Sequence, residues 1–85
     1  MINLKRLNLN ENKIRKVENL TNLMNLEFLL LECNRISEFD TTFLHTLRNE
    51  CYISLVGNPI KTISELIPEN VIIQFEDSNW TPKGL

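Results

Sequence analysis

The sequence predicts an α/β fold made of stacked repeats, and three observations carry that prediction. Leu4, Leu7, Leu9, Asn12, Ile14 and Val17 recur 22 residues later as Leu26, Leu29, Leu31, Asn34, Ile36 and Phe39. The pattern fails past Phe39 and resumes, with a two-residue insertion, at Ile53, Leu55, Asn58, Ile60 and Ile63. An asparagine occupies the same point of each unit. A period of this size marks a chain that winds into equivalent coils, each too small to bury its apolar face alone and each completing its neighbour's core.

Each element follows from that frame. Leu4, Leu7 and Leu9 lie on a strand and turn that point one way, so they are expected to stack on Leu26, Leu29 and Leu31, then on Ile53 and Leu55. Asn12, Asn34 and Asn58 fall where the chain leaves the strand. An amide there can donate to and accept from backbone groups that the turn leaves unpaired, and the three are expected to form a ladder. The return segments differ. From Lys16 to Met24, Val17, Leu20 and Leu23 recur every third residue, which suits a tight 3₁₀-like or extended path. Asp40 to Asn49 predicts a helix with Asp40 as N-cap, Phe43, Leu44 and Leu47 inward, and Arg48 at the C-terminal end. Thr62 to Ile67 predicts a short helical turn stopped by Pro68. Val71 to Asp77 predicts a last strand with Val71, Ile73 and Phe75 inward.

The bulk properties restrict function more than they define it. The 85 residues are 42% hydrophobic and 24% charged with net charge −2, enough for one small domain. A slightly acidic chain has no electrostatic reason to bind nucleic acid, and Lys13, Arg15 and Lys16 are bracketed by Glu11 and Glu18, as on a solvated turn. No apolar run reaches the ~18 residues of a membrane span, and MINLKRLNLN is too polar for a secretory signal, so a cytoplasmic location is expected. Cys33 and Cys51 are then expected to be free thiols. Cys51 opens the third strand and Cys33 follows the second, which separates them by roughly 15–20 Å at strand rise, well past the ~7 Å reach of a disulfide.

The units LKRLNLNENKIRKVENLTNL and LEFLLLECNRISEF resemble the 22-residue class of leucine-rich repeat, the class that includes a phosphatase regulator and bacterial internalins. Leu55-Val56-Gly57-Asn58-Pro59-Ile60 is similar to the closing repeat of such arrays. The resemblance covers Leu4 to Asp77. It implies a short leucine-rich-repeat solenoid of about three repeats plus a closing strand, with a parallel sheet on the concave face and 3₁₀ or short helices on the convex face. The expected boundaries are a repeat domain over 1–77 and a C-terminal tail over 78–85. Within the tail, Trp80 either folds over the last strand or projects as an anchor. Members of the family commonly bind protein partners on the concave face. The first unit opens at Leu4 with no capping segment before it. A second copy of the chain, a partner, or more of a longer protein is therefore expected at that end.

An enzyme is not expected. The lone His45 falls on the outer return segment, away from the strands, and no serine or cysteine can be placed beside it as an activated pair. Gly57 and Gly84 make no phosphate-cradling loop, and Cys33, Cys51 and His45 lack metal spacing, so no cofactor or metal is expected. What stands out is the strand positions that face away from the stack. One row reads Arg6, Phe28, Tyr52 and Ile72; the next reads Asn8, Leu30, Ser54 and Gln74. Such positions should be polar, yet Phe28, Leu30, Tyr52 and Ile72 are apolar, with Lys5, Arg6, Glu27 and Glu32 around them. An apolar centre with a charged rim has the anatomy of a protein interface. The expected partner-binding set is Arg6, Phe28, Leu30, Glu32, Tyr52 and Ile72. The competing explanation is the general preference of strands for aromatic and β-branched residues. The alternative function is assembly into a homo-oligomer through the open N-terminal edge around Ile2, Leu4 and Leu7.

Overall fold

The computed structural model describes residues 3–18, 20–63 and 67–75. The predicted tail, with Trp80, lies outside the described residues, as do Ile2 and Asp77. The chain forms strands β1 (Arg6–Asn8), β2 (Phe28–Leu30), β3 (Glu38–Phe39), β4 (Cys51–Ser54), β5 (Thr62–Ile63) and β6 (Val71–Gln74). A 3₁₀ helix over Thr42–Thr46 is the helix found among the described residues. The result is a small α/β protein organised by a four-stranded parallel sheet in the order β1-β2-β4-β6, with β3 and β5 pairing in parallel as a second sheet.

The leucine pattern dictates which face is buried. Leu26, Leu29, Ile36, Leu44, Ile53 and Leu55 are wholly enclosed, and Leu31 nearly so. Successive residues along a strand alternate inward and outward, so Ile53 is enclosed while its neighbour Tyr52 is only half-buried, and Ile73 is buried while Ile72 is exposed. At about 25 cal/mol per Å² of apolar surface removed from water, this enclosed set supplies the main stabilising term of the fold.

The asparagine ladder has the predicted form in two of its three rungs. Asn34 Nδ2 donates to the carbonyls of Leu31 in its own coil and Leu9 in the preceding one, while its Oδ1 accepts from the Ile14 N–H. Asn58 repeats the arrangement with Leu55, Leu31 and the Ile36 N–H. Asn12 is exposed and donates only to Leu9 and Asn10, within its own coil. The residue before each asparagine sits in the left-handed region: Glu11 at φ 60°, Cys33 at 59° and Gly57 at 83°. Three left-handed turns in equivalent places let the chain leave each strand along the same path, at some strain in the two non-glycine residues.

A second column of asparagines, at the opposite end of the strands, is absent from the predicted pattern. Asn25 Nδ2 donates to Asn3 Oδ1, Asn49 Nδ2 to the Asn25 carbonyl, and Asn70 Nδ2 to the Asn49 carbonyl. The spacings of 22, 24 and 21 residues were available as a signal, since Leu9, Leu31 and Leu55 follow Asn3, Asn25 and Asn49 by the same interval.

Several expectations need correction. The helix predicted over Asp40–Asn49 shrinks to a single 3₁₀ stretch. Strand β3 ends at Phe39 and the chain is already extended again at Leu47, with ψ 135°, which leaves too few residues for an α-helix. Asp40 is not its N-cap: Thr41 holds that place, and the Asp40 carboxylate takes the Thr42 N–H and hydroxyl instead. Phe43, Leu44 and Leu47 do point inward. The helical turn predicted over Thr62–Ile67 begins instead as β5. Its Thr62 and Ile63 are β-branched, and the N–H groups of Lys61 and Thr62 both reach the Ser37 carbonyl, drawing the segment beside β3. Residues 64–66 lie outside the described residues. Strand β6 ends at Gln74. Finally, Leu4, Leu7 and Leu9 are only half-buried, because among the described residues a coil packs against them on one side alone.

Candidate functional site

The open face of the main sheet carries the two predicted rows in direct register. Arg6 pairs with Phe28, Phe28 with Tyr52, and Tyr52 with Ile72. The adjoining row runs Asn8, Leu30, Ser54 and Gln74. Side chains that share a row on neighbouring strands stand about 5 Å apart, close enough to form one continuous surface.

Within the first row the side chains are mutually ordered. The Arg6 guanidinium lies 5.3 Å from the centre of the Phe28 ring, and Phe28 meets Tyr52 edge-on at 6.4 Å and 60°. Phe28 is thus held between a cation and a second ring, both favourable geometries. Even so, Phe28 remains 40% exposed and Ile72 62% exposed, the two large hydrophobic residues that stand out as exposed among those described. Tyr52 and Leu30 are half-buried.

The second row departs from the prediction. Ser54 was expected to face solvent but is wholly buried, because Glu32 covers it: the Ser54 hydroxyl donates to Glu32 Oε2 at 2.6 Å. The Glu32 N–H in turn donates to Asn10 Oδ1. Glu32 is therefore half-buried and tethered by both its backbone and its carboxylate, rather than a free charge at the rim. The structure thus brings Arg6, Phe28, Tyr52 and Ile72 into one line, sets Leu30 beside it, and places Glu32 one step beyond Leu30, tied to Ser54.

Two hollows meet at Phe28. The smaller, about 400 Å³, lies among Arg6, Leu7, Asn8, Phe28 and Leu30. The larger, about 540 Å³, is floored by Phe28, Tyr52, Ile72 and Cys51 and walled by Glu27, Glu50 and Glu69 with Asn49 and Asn70. Of its acidic wall the sequence reading named Glu27 and missed Glu50 and Glu69. Each apolar residue of the row has a glutamate one to three positions upstream, which becomes a second row only once the strands are side by side. A hollow of about 610 Å³ on the return side is bordered by Arg15, Lys16, Glu38 and Asp40, with Val17 and Phe39 its large apolar side chains. Its mixed charge, with Arg15 and Lys16 facing Glu38 and Asp40, gives it no single sign of field to select a partner.

The titratable groups offer little reactivity. Burial, and secondarily Glu27, pushes the Cys51 thiol up to about 11, so it is a protonated, packed side chain at neutral pH. Cys33 is exposed, and both cysteines are free. Hydrogen bonds from the Thr42 hydroxyl and then its N–H hold the Asp40 carboxyl below its usual value. His45 sits exposed on the 3₁₀ helix, on the return side of the coil. Among the described residues no group of three or more His, Cys, Asp or Glu could hold a metal ion, and no helix is long and apolar enough to cross a membrane.

No protein-family model matches this chain, and neither does any curated protein or solved structure.

Proposed function

We propose that this chain is a short leucine-rich-repeat solenoid that works as a protein-interaction module in the cytoplasm, binding a protein partner through the concave face of its sheet. One observation carries the reading: Phe28, Tyr52 and Ile72 line up across three adjacent strands, with Phe28 and Ile72 kept in water by a fold that buries their immediate neighbours. An ordered, solvent-facing apolar row costs solvation in the free protein, and a partner that covers it recovers that cost. Arg6 and Leu30 frame the row and would orient the partner, while Glu32, bonded to Ser54, borders the face without a free charge. The role is binding rather than catalysis, and it calls for no cofactor, metal, nucleic acid or membrane.

The test is a partner capture from the source cell with matched variants. Phe28→Asp and Tyr52→Asp should abolish capture while leaving circular dichroism and the melting midpoint close to those of the parent. Unfolding of either variant would instead make the side chain part of the core and remove the basis of the proposal.

A second reading is assembly through the β1 edge. It rests on the first coil, where Leu4, Leu7, Leu9, Ile14, Val17 and Leu20 are only partly buried while Leu26, Leu29, Leu31 and Ile36 one coil on are enclosed. A second copy laid against β1 would complete that burial. The solution mass decides: a monomer at high micromolar concentration rules self-assembly out.

A further inference from the structure

The hollow beside Phe28 has a chemical character that narrows the partner. Its floor is the apolar row of Phe28, Tyr52 and Ile72, and its wall carries Glu27, Glu50 and Glu69 with no lysine or arginine lining it. The glutamates approach along one side of the row only. On the other side lie Leu30, the buried Ser54 and Gln74, and Glu32, which among the described residues brings a carboxylate there, is already bonded to Ser54. At the β1 end the sign reverses, because Arg6 stands over Phe28 with Lys5 next to it.

Resting on the interaction reading above, we propose that the occupant of this hollow is a short basic–apolar protein segment: it lays apolar side chains on Phe28, Tyr52 and Ile72 and directs lysine or arginine side chains to Glu27, Glu50 and Glu69. The charge complementarity is directional. A segment of this kind is drawn to the β2-β4-β6 side and repelled by Arg6 and Lys5, which fixes which way round it sits. The size also fits. From β2 to β6 the row spans two strand spacings, roughly 10 Å, the length of about three extended residues. A stretch with two or three apolar positions flanked by cations covers it. The negative field reaches the floor of the hollow, where Glu27 contributes to holding the Cys51 thiol protonated. An acidic segment would have to bury its carboxylates against three others and is excluded by repulsion.

The experiment uses the full chain, immobilised, and two degenerate decapeptide pools. In one, Leu, Ile, Val or Phe alternates with Lys or Arg; in the other, Asp or Glu replaces the cations. The cationic pool should be retained and the anionic pool should not. Replacing all three glutamates (Glu27→Gln, Glu50→Gln, Glu69→Gln) should weaken binding of the selected cationic peptides roughly tenfold or more, by analogy with the summed effect of several rim charges. Raising the salt should weaken binding to the parent more than to the glutamine variant. Ile72→Asp should remove binding altogether. Equal retention of both pools, or cationic binding that survives the glutamine changes but fails in Ile72→Asp, overturns the charge assignment and leaves the interaction face standing. Retention of neither pool, or binding indifferent to Ile72→Asp, overturns the inference and takes the open-face reading with it. A concentration-dependent doubling of mass that Ile72→Asp abolishes would make a second copy the occupant and also overturn it.

Discussion

Asn58 donates through Nδ2 to the carbonyl of Leu31, 2.8 Å away and one coil back in the stack. Leu31 directly follows β2, so this bond ties the turn after β4 to the chain just past β2, with both residues buried.

The value of that bond can be measured rung by rung. Asn34→Ala and Asn58→Ala should each cost about 1–3 kcal/mol, because each takes the acceptor from one backbone N–H, of Ile14 or Ile36, and removes one of the donors shared by the carbonyls it spans. Asn12→Ala should cost no more than about 1 kcal/mol, since Asn12 is exposed and bonded only within its own coil. Denaturant titration at constant slope gives the three values, and an equal cost at all three positions would contradict the ladder.

Gly57 should resist any side chain. Its φ is 83°, and a Cβ there would lie 3.0 Å from Cys33 Sγ and 3.1 Å from the Cys33 nitrogen. Gly57→Ala is expected to destabilise by roughly 1–3 kcal/mol. Adding Cys33→Ala should return only part of that loss, because it clears the sulfur and leaves the backbone contact. Full rescue in the double variant would place the whole conflict at the sulfur.

Adjacent residues of β6 should answer oppositely to the same change. Ile72→Asp falls on a side chain 62% exposed and should shift stability by less than about 0.5 kcal/mol. Ile73→Asp puts a charge at a buried position and should prevent folding at room temperature. Circular dichroism of the pair reads the alternation directly.

The Cys51 thiol links stability to alkaline pH. Its pKa rises from 9.0 to about 11 on folding, burial being the larger cause. The folded state therefore holds that proton more tightly than the unfolded one. The corresponding stability is fully present below pH 9 and declines as pH rises from 9 through 11. Cys51→Ala should flatten this decline. Alkylation at pH 8 should modify Cys33 quickly and Cys51 only as the protein opens.

The parts of this architecture that repeat are the parts a sequence makes legible. Leu29 and Ile53 could be paired because they hold equivalent places in successive units, and once they are paired the outward rows follow by alternation. Ser54 could not be placed from its row alone, because what buries it is Glu32, 22 residues away and brought near only by the register. The Asp40–Asn49 segment has the apolar spacing and acidic start of a helix, but its fate is set by β3 before it and the extended Leu47 after it. The acidic wall was hidden for a related reason. Glu27, Glu50 and Glu69 stand at three different distances from the residues they accompany, so no period reveals them.

The chain spends 22 residues between Arg6 and Phe28, 24 between Phe28 and Tyr52, and 20 between Tyr52 and Ile72, yet the four arrive as direct neighbours across the sheet. Contour length and spatial period are thus decoupled: the surplus and the shortfall are absorbed on the return path. Residues can be added or removed there without sliding one strand against the next. The composition of the open face can then be altered one side chain at a time, while the loops behind it change in length independently.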